Sequence, residues 1–305
     1  MEFFHKKTTI DFMGIRKYTA VLSIAVIAAS LLSLFIHGLN WGLDFTGGTQ
    51  IEVNFNKSAD LHAIRTQLEK SGFKEAVVMN YGTAKDVLIN VAPRKDADQQ
   101  KISSEVMKVL PDAKLQRVEF VGPQVGQELA TKGALAIIVA LIGTMIYIAM
   151  RFEYRFAVSS TIALIHDPLL ILGIFSFFHL EFNLTALAAV LAVIGYSLND
   201  TIVIFDRIRE NFRKIRKGST VEIVNLSINQ TLSRTIMTSV MTLIVVLALF
   251  FYGGAMIHGF ATAFIIGIVI GTYSSIYVAG ALAVAMGLSR NDLLPEIKKE
   301  VDDRP

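Results

Sequence analysis

The chain has 305 residues, of which 53% are hydrophobic and only 18% are charged. This composition is too apolar for an ordinary soluble domain and makes a lipid bilayer the expected surroundings. The absence of cysteine excludes disulfides and thiolate chemistry, and the six histidines show no metal-ligand spacing, so we expect no metal and no bound cofactor. The net charge of +3 does not indicate nucleic-acid binding, because most of the excess Lys and Arg flank apolar stretches.

The first predicted element is an apolar span over residues 18–37, which follows a basic segment, residues 1–17. A stretch of about 20 apolar residues is long enough to cross a bilayer. It lacks the small-residue cleavage site of a signal peptide, so we interpret it as a retained anchor. The preceding Lys and Arg residues place the N-terminus in the cytoplasm.

Residues 40–131 differ from the rest of the chain, because Lys, Asp and Glu are abundant there and no apolar run reaches membrane length. Strand and helix patterns alternate in the order β-α-β-β-α-β, with Ser58 as the predicted N-cap of the first helix and Pro111 ending the second. The most economical fold for this order is a ferredoxin-like α+β sandwich, with both helices on one face of an antiparallel sheet. We therefore expect a folded domain outside the membrane.

Residues 133–288 contain five further apolar spans, which brings the predicted total to six transmembrane helices. Their approximate ranges are 133–150, 156–178, 184–205, 236–252 and 260–288. Lys and Arg are concentrated in alternate loops and in the tail, residues 289–305, so both termini are predicted to be cytoplasmic and residues 40–131 extracytoplasmic. The stretch "GIVIG" at 267–271 has the small-xxx-small spacing that favours close helix packing.

Two polar residues, Asn199 and Asp200, interrupt the fourth span. A carboxylate at the centre of a membrane helix costs roughly 2.5–3.5 kcal/mol, so a function is expected for it. Helical spacing puts both residues on one side together with Tyr196, and Arg234 enters the antiparallel fifth span at a comparable depth. Two interpretations stay open for each charge: Asp200 carries protons or only packs helices, and Arg234 pairs with it or only snorkels to the interface.

A second polar pair, His166 and Asp167, lies in the third span and is followed by Pro168. The proline cannot donate a backbone hydrogen bond to the carbonyl of Leu164, which frees that acceptor. Histidine titrates near neutral pH, so the pair is consistent with a proton relay. It is equally consistent with a polar contact that locks helix packing.

Gly47 and Gly48 in "LDFTGGTQ" lack the Lys and the following helix of a phosphate-binding loop. We interpret them as a tight turn between the anchor and the first strand, where the backbone freedom of glycine is needed.

Three motifs resemble the bacterial SecF family: "WGLDFTGGTQIEV", "FVGPQVGQEL" and "GYSLNDTIVIFDRIREN". The resemblance covers essentially the whole chain. It implies an α-helical integral membrane protein that forms a six-helix half of an RND-like transporter in the bacterial inner membrane. It also implies that proton flow is coupled to preprotein export, with no enzymatic activity and no cofactor beyond the proton gradient.

The resemblance implies partners and site residues as well. The expected partners are SecD and the SecYEG channel, with YajC and YidC as further candidates, besides the preprotein substrate and the lipid bilayer. Asp200 and Arg234 match an intramembrane pair implicated in proton transport, whereas the family's His-Asp pair, matched by His166 and Asp167, has a less clear role. The motifs also contain four residues that we expect to be structural, namely Gly47, Gly48, Gly122 and Pro123.

Three other functions were weighed against this interpretation. An RND-like exporter of small molecules or lipids is disfavoured, because a single small outer domain does not supply the large paired porter domains of such pumps. An intramembrane aspartyl protease would use Asp167 and Asp200 together, but the second Asp lacks a Gly-x-Gly-Asp context. A passive assembly scaffold, whose polar residues only pack helices, is left open by the sequence.

Overall fold

The computed structural model describes residues 8–74, 76–81, 83–93 and 99–289. The predicted N-terminal segment 1–17 lies only partly within these residues, and the predicted tail 289–305 lies outside them except for its first residue. Within the described chain, six helical stretches are long and apolar enough to cross a membrane, and an α+β domain is inserted after the first of them. The predicted fold class is confirmed.

The elements follow one another in a simple order along the chain. The helices are α1 Arg16–His37, α2 Leu43–Thr46, α3 Leu61–Lys70, α4 Gln99–Val109, α5 Pro123–Arg151, α6 Tyr154–Phe177, α7 Leu184–Lys214, α8 Thr220–Tyr252, α9 Ala255–Tyr273, a π-helical segment Ser274–Ala279, and α10 Gly280–Ala285. The strands are β1 Asn40–Trp41, β2 Gly48–Phe55, β3 Val77–Tyr81, β4 Thr83–Val91, β5 Ala113–Val121 and β6 Glu181–Phe182.

The outer domain is built from β2 to β5 with α3 and α4. Its strands pair antiparallel in the order β3-β4-β2-β5, which is the order of a ferredoxin-like βαββαβ sheet. Alternate residues of the strands and the apolar sides of both helices form one core, which includes Ile51, Leu68, Ile89 and Val106. The predicted strand and helix order is therefore confirmed.

The prediction that Ser58 caps the first helix of this domain is wrong. The N-cap of α3 is Asp60, whose Oδ1 accepts hydrogen bonds from the backbone N–H groups of His62 (3.0 Å) and Ala63 (3.1 Å). A cap must directly precede the first helical residue to reach these amides, and Ser58 comes two residues too early.

The junction between the outer domain and the membrane is very close-packed. Gly122 is the N-cap of α5 and Pro123 is its first residue, where the missing N–H leaves no bond unmade. Gly47 has a φ of 71°, and a Cβ atom there would lie 2.9 Å from the Cα of Pro123. Gly48 has a φ of 133°, and a Cβ atom there would lie 2.4 Å from the carbonyl oxygen of Val91. Side chains at these two glycines would therefore force the junction apart.

The observed helices extend beyond several predicted spans. α5 begins at Pro123 rather than near residue 133, so the last part of the range 40–131 belongs to this helix. α7 runs to Lys214 and includes basic residues that were expected beyond the end of the fourth span. The sequence pattern detects only the apolar part of a helix, whereas charged residues continue the same helix into water.

Two short strands were not predicted. β1 pairs in parallel with β6, so that Asn40 is opposite Glu181 and Trp41 is opposite Phe182. The ring of Trp41 meets the ring of Phe182 edge to face, with centroids 5.9 Å apart. This pairing fastens the start of the outer domain to the connector between α6 and α7.

Small residues permit close contacts inside the membrane domain. α1 buries Ser23, Ser30 and Ser33, and a Cβ atom at Gly173 of α6 would lie 2.2 Å from the Cβ of Ser30. Because lipid is as apolar as a leucine side chain, helices in a membrane associate through such close backbone approach rather than through hydrophobic burial.

The predicted close approach at 267–271 is confirmed. A Cβ atom at Gly267 of α9 would lie 2.1 Å from the Cγ2 of Val193 on α7, and one at Gly271 would lie 3.2 Å from the Cβ of Ser197. The two glycines therefore bring the last crossing directly against the helix that carries Asp200.

We predict that residues 48–121 fold alone in water, because the core of the outer domain comes entirely from this segment. Leu68→Ala, at a residue with 0% exposure, should lower the free energy of unfolding by about 2–5 kcal/mol. Leu115→Ala, at a residue with 47% exposure, is the control and should change it by about 0.5 kcal/mol or less. Urea unfolding followed by far-ultraviolet circular dichroism measures both, and the absence of a cooperative transition in the isolated segment contradicts the prediction.

Candidate functional site

Asp167 is the centre of a buried hydrogen-bonded junction. It is 0% exposed in α6, and its Oδ1 lies 2.9 Å from the Nδ1 of His166. Its Oδ2 accepts hydrogen bonds from the Oγ of Ser197 on α7 (2.6 Å) and the Oγ of Ser274 (2.9 Å). One carboxylate therefore joins α6, α7 and the π-helical segment.

The π-helical segment presents two consecutive serines to the same neighbours. The Oγ of Ser275 lies 3.0 Å from the Oγ1 of Thr201 and donates to the carbonyl oxygen of Ser197 at 3.3 Å, while Ser274 bonds to Asp167. A π-helical turn holds an extra residue and is frequent at functional sites. The π-helical segment is therefore the part of the last transmembrane helix that contacts α7 through Ser275.

Sequence analysis missed Ser197, Thr201, Ser274 and Ser275 as members of this junction. Two signals were present in the sequence. Ser197 and Thr201 are spaced one helical turn apart on either side of Asp200, and the polar stretch "TYSS" interrupts an otherwise apolar last span.

Asp200 lies on α7 and is only 2% exposed, at the contact with α8. Its Oδ1 accepts a long hydrogen bond of 3.4 Å from the Oγ1 of Thr238. Its Oδ2 has no hydrogen-bond partner among the described residues, and the same is true of the buried Oγ1 of Thr235 on α8. Asp200 is thus a buried carboxylate with incomplete hydrogen bonding, unlike Asp167.

Arg234 lies on α8 one turn before Thr238 and attracts the Asp200 carboxylate electrostatically. Its side chain is exposed in the isolated chain, and no direct ion pair joins it to Asp200 in the part of the chain that the structure describes. The two charges predicted to be neighbours are therefore on facing helices but not in contact in this conformation.

Asn199 does not share the buried side of α7. It is exposed, whereas Asp200 is buried and the hydroxyl of Tyr196 donates to Ser239 of α8 at 3.2 Å. With 3.6 residues per helical turn, consecutive residues point about 100° apart, so Asn199 turns away when Asp200 faces α8. The expectation that the three residues form one inward polar stripe is wrong for Asn199.

The two buried aspartates do not form a catalytic pair in this conformation. Asp167 bonds to His166, Ser197 and Ser274, whereas Asp200 bonds to Thr238, so they share no hydrogen-bond partner among the described residues. Across the same residues, no group of three or more His, Asp or Glu side chains is arranged to hold a metal ion. The two carboxylates therefore belong to separate hydrogen-bond networks.

Comparisons with known proteins identify the family of this chain. Residues 101–289 match the family described as "Protein export membrane protein SecD/SecF, C-terminal", and residues 32–59 match the family described as "SecD/SecF GG Motif". The protein translocase subunit SecF of Vibrio alginolyticus is 53% identical over 298 residues, which cover 96% of this chain and 95% of that protein. This chain belongs to the SecF family. The SecF of Pseudomonas aeruginosa is 47% identical, with 97% of this chain and 98% of that protein covered.

Solved structures with the same fold come from SecDF proteins. The crystal structure of SecDF from Thermus thermophilus, a translocon-associated membrane protein, matches with a TM-score of 0.85 and 38% sequence identity. The match covers 93% of this chain but only 39% of that longer SecDF chain. A structure of SecDF in a "Super-membrane-facing form" has the same identity and coverage but a TM-score of 0.70. This SecF chain is therefore a multi-pass protein of a bacterial membrane with an RND-like fold.

We predict that Asp167→Ala lowers the thermal stability of the purified protein in detergent. The substitution leaves the buried donors of His166, Ser197 and Ser274 without their acceptor, at about 1–3 kcal/mol for each group that finds no new partner. Ser159→Ala is the matched control, because Ser159 is also buried in α6 but bonds only to a backbone carbonyl of its own helix. Equal melting temperatures for the two variants contradict a junction at Asp167.

Proposed function

We propose that this SecF-family chain couples the proton motive force to the export of preproteins across the bacterial cytoplasmic membrane. The observation that carries the proposal is the incompletely hydrogen-bonded carboxylate of Asp200, buried within a translocase subunit. A buried ionisable group is expensive in a membrane and normally marks an ion or proton pathway. The family supplies the process that the proton drives, namely protein translocation.

Proton binding changes what Asp200 can do at the contact between α7 and α8. The ionised carboxylate only accepts hydrogen bonds and is favoured by the positive charge of Arg234, whereas the neutral acid gains an O–H donor and is favoured by burial. The hydroxyl of Thr238 on the facing helix, 3.4 Å from Asp200, supplies an acceptor for that donor, and the Thr235 hydroxyl on the same helix has no hydrogen-bond partner among the described residues. Protonation therefore biases the contact towards a different arrangement of the two helices.

Asp167 is proposed to hold the helices in position rather than to relay protons, whereas the buried Nε2 of its neighbour His166 has no hydrogen-bond partner among the described residues. Both Asp167 oxygens are engaged by side chains from three segments, and protonation of this carboxylate would remove acceptor capacity from the junction. Ser197, which bonds to Asp167, lies close to Asp200 along α7. Asp167 thereby fixes the part of α7 on which the proton-binding group is mounted.

Movement of the helices reaches the outer domain through two rigid connections. β6 follows α6 directly and pairs with β1 at the start of the outer domain, and the glycine junction holds Gly47 against Pro123 at the start of α5. The two SecDF structures match this chain with TM-scores of 0.85 and 0.70 at equal identity and coverage, which supports more than one arrangement of the family fold. The outer domain would move with the bundle and act on the emerging preprotein.

SecD and the SecYEG channel are the proposed partners, with YajC and YidC as further candidates, and the preprotein is the substrate. No cofactor other than the proton gradient is invoked, and no bond chemistry is assigned to the chain. The asymmetric distribution of Lys and Arg supports cytoplasmic termini and an outer domain on the opposite side of the membrane.

The difference between the two aspartates favours a proton-driven function over a passive scaffold. A polar residue that only packs helices is expected to be fully hydrogen-bonded, as Asp167 is. Asp200 retains an oxygen without a partner among the described residues, at a cost that packing alone does not explain.

Asp200→Asn should abolish the stimulation of preprotein export by the proton motive force while leaving membrane insertion and assembly with SecD intact. Asparagine keeps the size and hydrogen-bonding capacity of the side chain but cannot ionise. Export into inverted membrane vesicles, measured with and without a proton gradient, gives the result. Normal gradient-dependent export by this variant would contradict the proton-carrier role and favour the scaffold.

Arg234→Lys should reduce the same stimulation without abolishing insertion. Lysine keeps the positive charge but loses the planar guanidinium that can grip a carboxylate with two hydrogen bonds. The export assay used for Asp200→Asn measures this variant, with Arg216→Lys in the cytoplasmic loop as the control. Equal export by the two lysine variants would show that Arg234 is only an interfacial charge.

The proposed orientation is tested by single cysteines in this cysteine-free chain. Ser58 in the outer domain and Lys217 in the loop between α7 and α8 are both exposed. A membrane-impermeant thiol reagent added to cells with a permeabilised outer membrane should label Ser58→Cys and leave Lys217→Cys unlabelled. The reverse pattern means that the topology is inverted and the proposed direction of proton flow is wrong.

A further inference from the structure

A cleft lies between the sheet of the outer domain and the outer surface of the membrane domain. α3 and α4 cover one face of the sheet, and its other face points towards the bundle, where Arg117 of β5 donates to the sulfur of Met256 near the start of α9. β5 lies at one edge of the sheet and β3 at the other. At the β3 edge, residues of β3 and β4 line a cleft of about 220 Å³ together with residues of β1, α2 and β6.

The cleft combines apolar surface with amide groups. Trp41 and Val77 are each 48% exposed, and Met79 lines the cleft beside them. The side-chain amides of Asn40 and Asn90, which can both donate and accept hydrogen bonds, also line it. β1 pairs with β6 on one side only among the described strands, so its other edge has main-chain groups available.

Glu181 supplies the charge of the cleft. Burial and the nearby negative charge of Asp44 raise the pKa of the Glu181 carboxyl above its usual value. Asp44 itself accepts a hydrogen bond from the backbone N–H of Leu184 at 2.8 Å. Within the described residues, no hydrogen bond or ion pair reaches the Glu181 carboxylate, so the charge at this end of the cleft is uncompensated.

We propose that this cleft binds an extended segment of unfolded polypeptide and that Glu181 receives a Lys or Arg side chain of that segment. This inference rests on the proposed function in preprotein export, for which unfolded polypeptide is the substrate. The free edge of β1 provides main-chain hydrogen bonds without sequence preference. The exposed Trp41 and Val77 and the half-buried Met79 contact apolar side chains of the segment, and methionine adapts to many shapes.

The shape and position of the cleft argue for an extended chain rather than a folded partner. A stable interface between folded proteins needs about 800 Å² on each side, and the cleft is too small and too concave for one. It lies between the sheet of the outer domain and the connector from α6 to α7, to which Glu181 belongs. A cationic side chain would compensate the charge that Glu181 and Asp44 share.

The experiment is site-specific photo-crosslinking in the assembled full-length complex, with a preprotein stalled part-way through the channel. A photoreactive residue at Met79 in the cleft should crosslink to the stalled chain. One at Glu69, exposed on α3 on the opposite face of the sheet, should not. Equal crosslinking from the two positions, or crosslinking only from residue 69, overturns the proposal.

The role of the charge is tested with two preproteins that differ only in carrying Lys or Gln residues in the stalled segment. Glu181→Gln should reduce crosslinking of the Lys segment from residue 79 by roughly tenfold, as expected for the loss of one charge-assisted contact, and leave the Gln segment unchanged. Glu119→Gln, on β5 at the far side of the same sheet, should affect neither segment. A reduction of both segments by Glu181→Gln, or of neither, overturns the assignment of Glu181.

The crosslinking is carried out without a proton gradient, so its outcome is separate from that of the export assay. If Asp200→Asn exports normally but residue 79 still crosslinks to the Lys segment, the proposed function fails and the polypeptide site stands. If Asp200→Asn loses the stimulation but residue 79 never crosslinks, the proposed function stands and the polypeptide site fails.

Discussion

Asp167 accepts hydrogen bonds from Ser197 of α7 and Ser274 of the π-helical segment and is hydrogen-bonded to His166 of its own helix, so one carboxylate joins three helical segments of the membrane domain. In hydrocarbon there is no water to satisfy a carboxylate, so the helices that bring donors to it are held in one register. Close approach of the last crossing at Gly267 and Gly271 is what allows Ser274 and Ser275 to reach α7. The same contacts hold Ser197 and Thr201, the α7 residues on either side of Asp200.

The two buried aspartates solve the same physical problem differently. Both carboxylate oxygens of Asp167 are hydrogen-bonded. Asp200 has one long hydrogen bond, and its other oxygen has no partner among the described residues. A saturated carboxylate stabilises a packing arrangement, and an unsaturated one keeps a high-energy state that a proton relieves. In the proposed mechanism, the junction at Asp167 supports the part of α7 that carries Asp200, and Asp200 binds the proton.

The features that were predicted correctly from the sequence are those with a strong periodic pattern or a large energetic cost. The order of strands and helices in the outer domain follows from alternation and helical spacing, the spans follow from length, and Asp200 stands out because a carboxylate is costly in a membrane. The pairing of β1 with β6 carries no such signal, since each strand has two residues and they lie far apart in the chain. Ser197 and Ser274 were also missed, because serine is common in membrane helices and only the fold brings these two to Asp167.

The errors have equally specific causes. Asn199 was placed on the side of Asp200 because the two residues follow Tyr196 by three and four positions, although they also point about 100° apart and Asn199 is exposed. The cap at Asp60 was assigned to Ser58 because both residue types cap helices and only backbone geometry distinguishes them. The pairing of Arg234 with Asp200 was left open by the sequence, because similar depth and the family resemblance do not determine how far apart the two side chains stand.

We propose that protonation of Asp200 shifts α8 relative to the outer domain, which is fastened to α5 and to the connector between α6 and α7. The most direct test is a distance measurement between spin labels at Ser58→Cys in the outer domain and Tyr252→Cys at the outer end of α8, both at exposed positions. In liposomes containing the assembled complex, we expect two distances whose populations change when a proton gradient is imposed, and no such change when the chain carries Asp200→Asn. A distance that ignores the gradient, or a shift that persists in Asp200→Asn, contradicts it.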